Sequence, residues 1–149
     1  MCSFVIPNEV LLSRAVQTVS RGHIAVIPVR GTSMLPFIIG GKDSVELYPP
    51  FSLRVGDIVL ARFESGAYLL HRIYAFGEED KVLLMGDGNI GTTESCHRSQ
   101  ILAKARFVIR HNGKKRCLDN FSMRQAFYVW KLLIPCRRIL LRLFRCYYK

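Results

Sequence analysis

The sequence contains no C-x-x-C pair and an odd number of cysteines, five in all, which suits neither a disulfide framework nor a zinc ribbon. A reducing compartment is expected. Its start lacks a basic segment followed by an apolar run, and no uncharged apolar stretch approaches the roughly 20 residues of a spanning helix. Neither a cleavable secretory signal nor a transmembrane segment is expected, so the protein should be cytoplasmic or peripheral at a membrane. Internal repeats, low-complexity linkers, glycine-rich phosphate cradles, nucleotide fingerprints and helix-turn-helix patterns are missing too. Acidic residues are scarce at one end only. Residues 98–149 hold 14 Lys/Arg and the single acid Asp119, whereas residues 1–97 hold 8 Lys/Arg and 10 acids. The formal charge of +11 is therefore a C-terminal property, and no nucleic-acid partner is expected.

What remains is an ordinary core-forming composition. At 149 residues, with 50% apolar and 11% aromatic side chains, the chain can build one core and is not disordered. Asn8 can cap a helix running to about Arg21, with Val10, Leu11, Ala15, Val16 and Val19 on one face and Gly22 as its stop. Short β-like runs follow at Ile24–Val29, Ser44–Leu47, Asp57–Phe63, Tyr68–Phe76, Lys81–Met85 and Ile101–Ile109. Gly, Pro, Asp and Asn punctuate them, and residues 64–67 read as a hairpin turn, so sheet neighbours should be largely sequential. From about Phe121 the pattern becomes helical. Arg124, Lys131, Arg138, Arg142, Arg145 and Lys149 share one side, while Phe127, Leu132, Ile139, Leu140, Leu143, Phe144 and Tyr147 lie mostly elsewhere. Pro135 should kink or divide this helix. Such a basic amphipathic tail fits an anionic membrane surface, or else docks over the β core. The fold class is accordingly mainly β: a compact antiparallel structure with a short N-terminal helix and a basic C-terminal one.

Chemistry is concentrated at Gly31-Thr32-Ser33-Met34-Leu35-Pro36. A serine between a Gly-containing turn and a Pro-restricted segment is held on a bend with its hydroxyl projecting and backbone N–H groups free. A nucleophile and an oxyanion hole need that arrangement, although an ordinary turn has it as well. His71 lies 38 residues beyond Ser33 on a predicted strand. A neutral imidazole, with an unperturbed pKa near 6.5, can accept a serine proton at neutral pH, and an acid must then orient it. Asp87 and Glu94 are the candidates for that acid; Asp87 also reads as a simple turn residue. Rival chemistry is weaker. Cys96 and His97 are adjacent, so on a strand they point to opposite sides, and Lys81 as a base would lie 48 residues past Ser33. No metal site and no cofactor are expected.

The ordered blocks Ser33-Met34-x-Pro36, Val55-Gly56-Asp57-Ile58-Val59, Leu70-His71-Arg72-Ile73, Gly86-Asp87-Gly88-Asn89 and Ile101-x-Ala103-Lys104-Ala105 resemble the signal-peptidase and LexA-type serine peptidase superfamily. They span residues 31–105. His71-Arg72-Ile73 is closest to the Ser-His signal peptidases of the endoplasmic-reticulum and archaeal kind. The resemblance implies a LexA/signal-peptidase-like β fold, with a peptidase domain over residues 1–120, its motifs within 24–110, and a helical tail over 121–149. It also implies catalytic roles for Ser33 and His71, with Asp87 or Glu94 as the orienting acid, and oxyanion or substrate contacts from Thr32, Ser33, Met34 and Pro36. The expected partner is a peptide or precursor protein with small residues before the scissile bond. Three positions depart from the family pattern: Gly31 stands where many signal peptidases carry a Ser, the acid block reads Gly-Asp-Gly-Asn, and no N-terminal anchor is read. The competing class is a non-enzymatic peripheral membrane or nucleic-acid binding module that uses the basic C-terminal region.

Overall fold

A computed structural model of the chain describes residues 8–148, so Cys2 and Lys149 lie outside the described residues. The first helix, α1, runs Asn8–Ser20 and buries Leu12, Ala15 and Val19. The inward face is thus centred on Leu12, with Val10 exposed and Leu11 half-buried, a rotation of the predicted stripe. Gly22 closes the helix at φ 84°, its N–H bonding to Val19 O and that of His23 to Thr18 O.

Eight strands follow: β1 (Ala25–Pro28), β2 (Ser44–Tyr48), β3 (Ile58–Arg62), β4 (Tyr68–Phe76), β5 (Lys81–Met85), β6 (Glu94–His97), β7 (Ile101–Ile109) and β8 (Lys115–Cys117). They form one antiparallel sheet in the order β1-β2-β7-β3-β4-β5-β6, with β8 added to β7. The mainly β fold with flanking helices is as the sequence predicts. Strands β3 to β6 are sequential neighbours, but β7 inserts between β2 and β3. Its near half, Ile101–Ala105, pairs with β3, and its far half serves both β2 and β8. A strand so placed is hydrogen-bonded along both edges, and its Ala103, Ala105 and Val108 are buried in the core shared with α1. The unpredicted strands β6 and β8 read Glu-Ser-Cys-His and Lys-Arg-Cys, with no apolar alternation to mark them. Pairing to β5 and β7 makes them strands.

Strand alternation separates two cores. Ile58 and Leu60 face Leu47, Ala105, Met34 and α1, whereas Val59 and Ala61 face Ile73, Val82, Leu84 and Cys96. The C-terminal segment is divided by Pro135 into α2 (Phe121–Leu132), a short 3-10 turn (Ile134–Cys136) and α3 (Arg137–Tyr147). Asn120 caps α2 by accepting the Met123 N–H at 2.9 Å. Both helices pack on the body: Met123 and Phe127 are buried, and Trp130 and Leu141 close a third cluster around Leu35. Asp57, 3% exposed, pins the join. It accepts from Arg124 Nη2 at 2.8 Å on α2, from Lys104 Nζ at 2.9 Å on β7 and from the Arg54 N–H at 2.9 Å.

Near β8, Asp119 takes hydrogen bonds from the Cys117 thiol and the Arg106 guanidinium. Burial pushes its carboxyl up, but the thiol and the charges of Arg106 and Lys104 outweigh this and hold it below 3.8. A carboxyl depressed in the folded state stabilises it above the unfolded pKa, and that contribution is lost as pH falls through the folded value. Asp119→Asn should therefore flatten the loss of urea stability between about pH 5 and pH 3 relative to wild type. An unchanged slope would show that Asp119 is not coupled to folding.

Candidate functional site

The turn carrying Ser33 follows β1 and is held by backbone. Leu35 N–H bonds to Thr32 O, Ile38 N–H to Met34 O, and Gly88 N–H to Ser33 O at 2.7 Å. Leu35-Pro36 is a cis peptide. Met34 is buried in the main core, Pro36 is half-buried, and Thr32 lies outside and exposed. Among the described residues the N–H groups of Ser33 and Met34 donate to no acceptor. The turn rests on glycines. A methyl at Gly86 would lie 2.5 Å from Ser33 O, and methyls at Gly88 and Gly40 would collide with the carbonyls of Thr32 and Gly31. No side chain fits at these contacts, which explains why the block at residue 87 reads Gly-Asp-Gly.

His71 and Arg72 are neighbours on β4 and point to opposite faces. His71 pairs in register with Val59, and its side chain is 4% exposed. Its Nδ1 lies 3.1 Å from Glu94 Oε2, supplied by the start of β6 across β5. When Nδ1 donates its proton to this carboxylate, Nε2 is left as the acceptor, the tautomer a general base requires. Of the two acids the sequence offers, Glu94 is the one beside His71.

Asp87 is engaged elsewhere. It receives Arg72 Nε at 2.8 Å and Nη2 at 2.7 Å, a two-pronged pair with both side chains at most 3% exposed. Arg72 Nη1 also donates to Gly56 O at 2.7 Å, and the guanidinium lies between the rings of Phe37 and Phe127 at 5.0 and 4.8 Å. A buried carboxylate in a glycine turn requires a cation, and the lone arginine on an otherwise apolar stretch of β4 was the signal for it.

Two residues of the C-terminal helices enter this wall without having been singled out from the sequence. Trp130 Nε1 donates to Asp87 O at 2.8 Å. Arg137, 2% exposed, donates to Asn89 O at 3.3 Å and to Trp130 O at 2.9 Å. Burial pushes the Arg137 guanidinium below its usual value, opposed by the charge of Asp87. A lone Trp and an Arg at a helix start look like ordinary amphipathic residues until the docking partner is known.

Ser33 lines a small cavity of about 120 Å³ together with Ile27, Val29, Met34, Leu60 and Leu70. Leu69 and Leu70 of β4 share this wall, whereas His71, the next residue, pairs with Val59 and points to the other face of the sheet, away from the cavity. The Ser33 hydroxyl itself makes no hydrogen bond to His71 or to any other group among the described residues. The rival nucleophile is disfavoured by its surroundings, because burial pushes the Cys96 thiol up and reduces the thiolate it can offer. Lys81 and His97 sit opposite each other at the β5–β6 end, both exposed.

Compared with known proteins, the sequence matches no family model and no curated protein. The resemblance read from the sequence therefore stands on its own residues.

Two substitutions test the frame of the site. Arg72→Met leaves Asp87 as a buried, unpaired charge and should cost on the order of 3–5 kcal/mol in urea unfolding. Gly88→Ala should displace the serine turn, lowering Tm and shifting the emission of Trp130, the only tryptophan. Gly77→Ala is the control, since its methyl meets only Lys81 Cβ at 3.4 Å and Lys81 O at 3.7 Å, ordinary contacts. Equal effects at Gly77 and Gly88 would mean that the close approach does not hold the turn.

Proposed function

We propose that the protein is a serine endopeptidase of the Ser-His-acid kind, similar to the signal-peptidase superfamily, that cleaves a signal or leader segment. The observation that carries the reading is the pair of the buried His71 with Glu94, which leaves Nε2 as a proton acceptor. The ordered motif blocks over residues 31–105 support the same reading independently.

In this mechanism the substrate lies extended beside β1, which among the described residues pairs only with β2 and leaves its other edge free. Main-chain pairing along such an edge accepts many sequences, and side-chain pockets then select among them. The cavity at Ser33, about 120 Å³ and lined by Ile27, Val29, Leu60 and Leu70 together with Asn8, Arg30 and Tyr68, has room only for a small side chain before the scissile bond. Ser33 Oγ attacks the scissile carbonyl carbon as His71 Nε2 takes the hydroxyl proton, a transfer that requires the serine turn to move on substrate binding, because His71 and the cavity lie on opposite faces of β4. The developing oxyanion is received by the free N–H groups of Ser33 and Met34. The imidazolium, stabilised by Glu94, then protonates the leaving amine as the C–N bond breaks. Water, activated by the same imidazole, hydrolyses the acyl-enzyme and restores Ser33. Asp87 takes no proton in this scheme: with Arg72 it holds the turn on which Ser33 O is bonded.

Reaction with a serine-directed phosphonate, read by intact mass, tests the engine directly. Labelling of Ser33 should vanish in Ser33→Ala and fall at least a hundredfold in His71→Ala. Glu94→Gln should slow it on the order of 10²-fold to 10⁴-fold, whereas Lys81→Ala should leave it unchanged. No labelling of a folded sample would favour a binding module, with Ser33 as a turn residue.

A further inference from the structure

Helix α3 divides its circumference into three stripes. Arg137 and Leu141 are buried, and Leu140, Phe144 and Tyr148 are half-buried against the body. Ile139, Leu143 and Tyr147 recur every four residues and are 67%, 63% and 81% exposed. Beside this apolar ridge runs a second exposed stripe of Arg138, Arg142 and Arg145. None of these three arginines makes a salt bridge among the described residues. The one acid after residue 97, Asp119, is held by Lys104 and Arg106.

We propose that this face of α3 docks on an anionic membrane surface. The ridge of Ile139, Leu143 and Tyr147 would enter the headgroup–acyl boundary, and the guanidinium stripe would lie among lipid phosphates. Charge decides the occupant. A second copy apposed through the same face would bring unpaired arginine stripes near one another, and a nucleic acid would leave the aliphatic ridge without a partner. An anionic bilayer satisfies both stripes at once, with the long arginine stems covering apolar surface while their heads stay in the polar layer.

The position of the helix gives this docking a consequence. Arg145 and Tyr148 wall a cleft of about 230 Å³ with Gly31, Thr32, Leu35 and Ile39, so α3 borders the outer side of the serine turn. A docked helix sets that turn at the lipid surface. The docking does not depend on the peptidase reading, and it is tested by binding alone.

Co-sedimentation of the full chain with vesicles of phosphatidylcholine, and of phosphatidylcholine mixed with phosphatidylglycerol, separates the outcomes. Wild type should bind the mixed vesicles, and bind less as salt rises. Arg138→Gln/Arg142→Gln should weaken binding roughly thirtyfold, and Leu143→Glu at least tenfold. Ser33→Ala should leave it unchanged. These side chains are exposed, and unaltered Trp130 emission would show that each variant keeps its fold. Absence of vesicle binding overturns the proposal, as does binding that ignores both α3 variants. A salt-sensitive complex with RNA that Leu143→Glu does not weaken, without vesicle binding, would assign the stripe to nucleic acid. A dimer dissolved by Leu143→Glu, again without vesicle binding, would assign the ridge to a second copy.

Discussion

The buried pair of Arg72 and Asp87 is the constraint around which the candidate site is arranged. Two charges removed from water are tolerable only when each is paired and hydrogen-bonded, and here the guanidinium spends its donors on Asp87 and Gly56 O. That requirement fixes the end of β5 against β4 and places the Gly86–Asn89 turn where Gly88 can donate to Ser33 O. The aromatic faces of Phe37 and Phe127 complete the enclosure, which ties α2 to the same pair. A change in any of these parts is felt at the serine turn.

Alternation along β4 then lets two consecutive residues do separate work. Arg72 turns toward α2 and holds the frame, while His71 turns to the opposite face and meets Glu94. The same alternation separates the two hydrophobic clusters of the sheet, so a one-residue slip of β4 would exchange the histidine and the arginine between faces. Register is therefore enforced by charge as well as by apolar burial.

The C-terminal helices serve the site from outside it. Trp130 and Arg137 satisfy the carbonyls of Asp87 and Asn89, which would otherwise be left without partners as the turn is buried. Their inner stripe is structural, and their outer stripe of arginines and apolar residues is free to meet something else. The inner face covers the core, and the proposed surface binding concerns only the outer one.

The sequence by itself determined the elements whose burial is periodic and local. The stop of the first helix at Gly22, the hairpin around Gly66, six of the eight strands and the break at Pro135 each follow from residue types within a short window. It also supplied Ser33, His71, Asp87 and Glu94 as chemical candidates. Only the tertiary structure decided how the acids divide, because carboxylate partners depend on strand order: β6 brings Glu94 across β5 to His71, and the end of β5 brings Asp87 to Arg72. Strands β6 and β8 pair locally with β5 and β7 but were illegible because their polar residues carry no apolar alternation. The insertion of β7 and the entry of Trp130 and Arg137 are made by contacts between segments distant in sequence, where neither propensity nor spacing carries information about the partner.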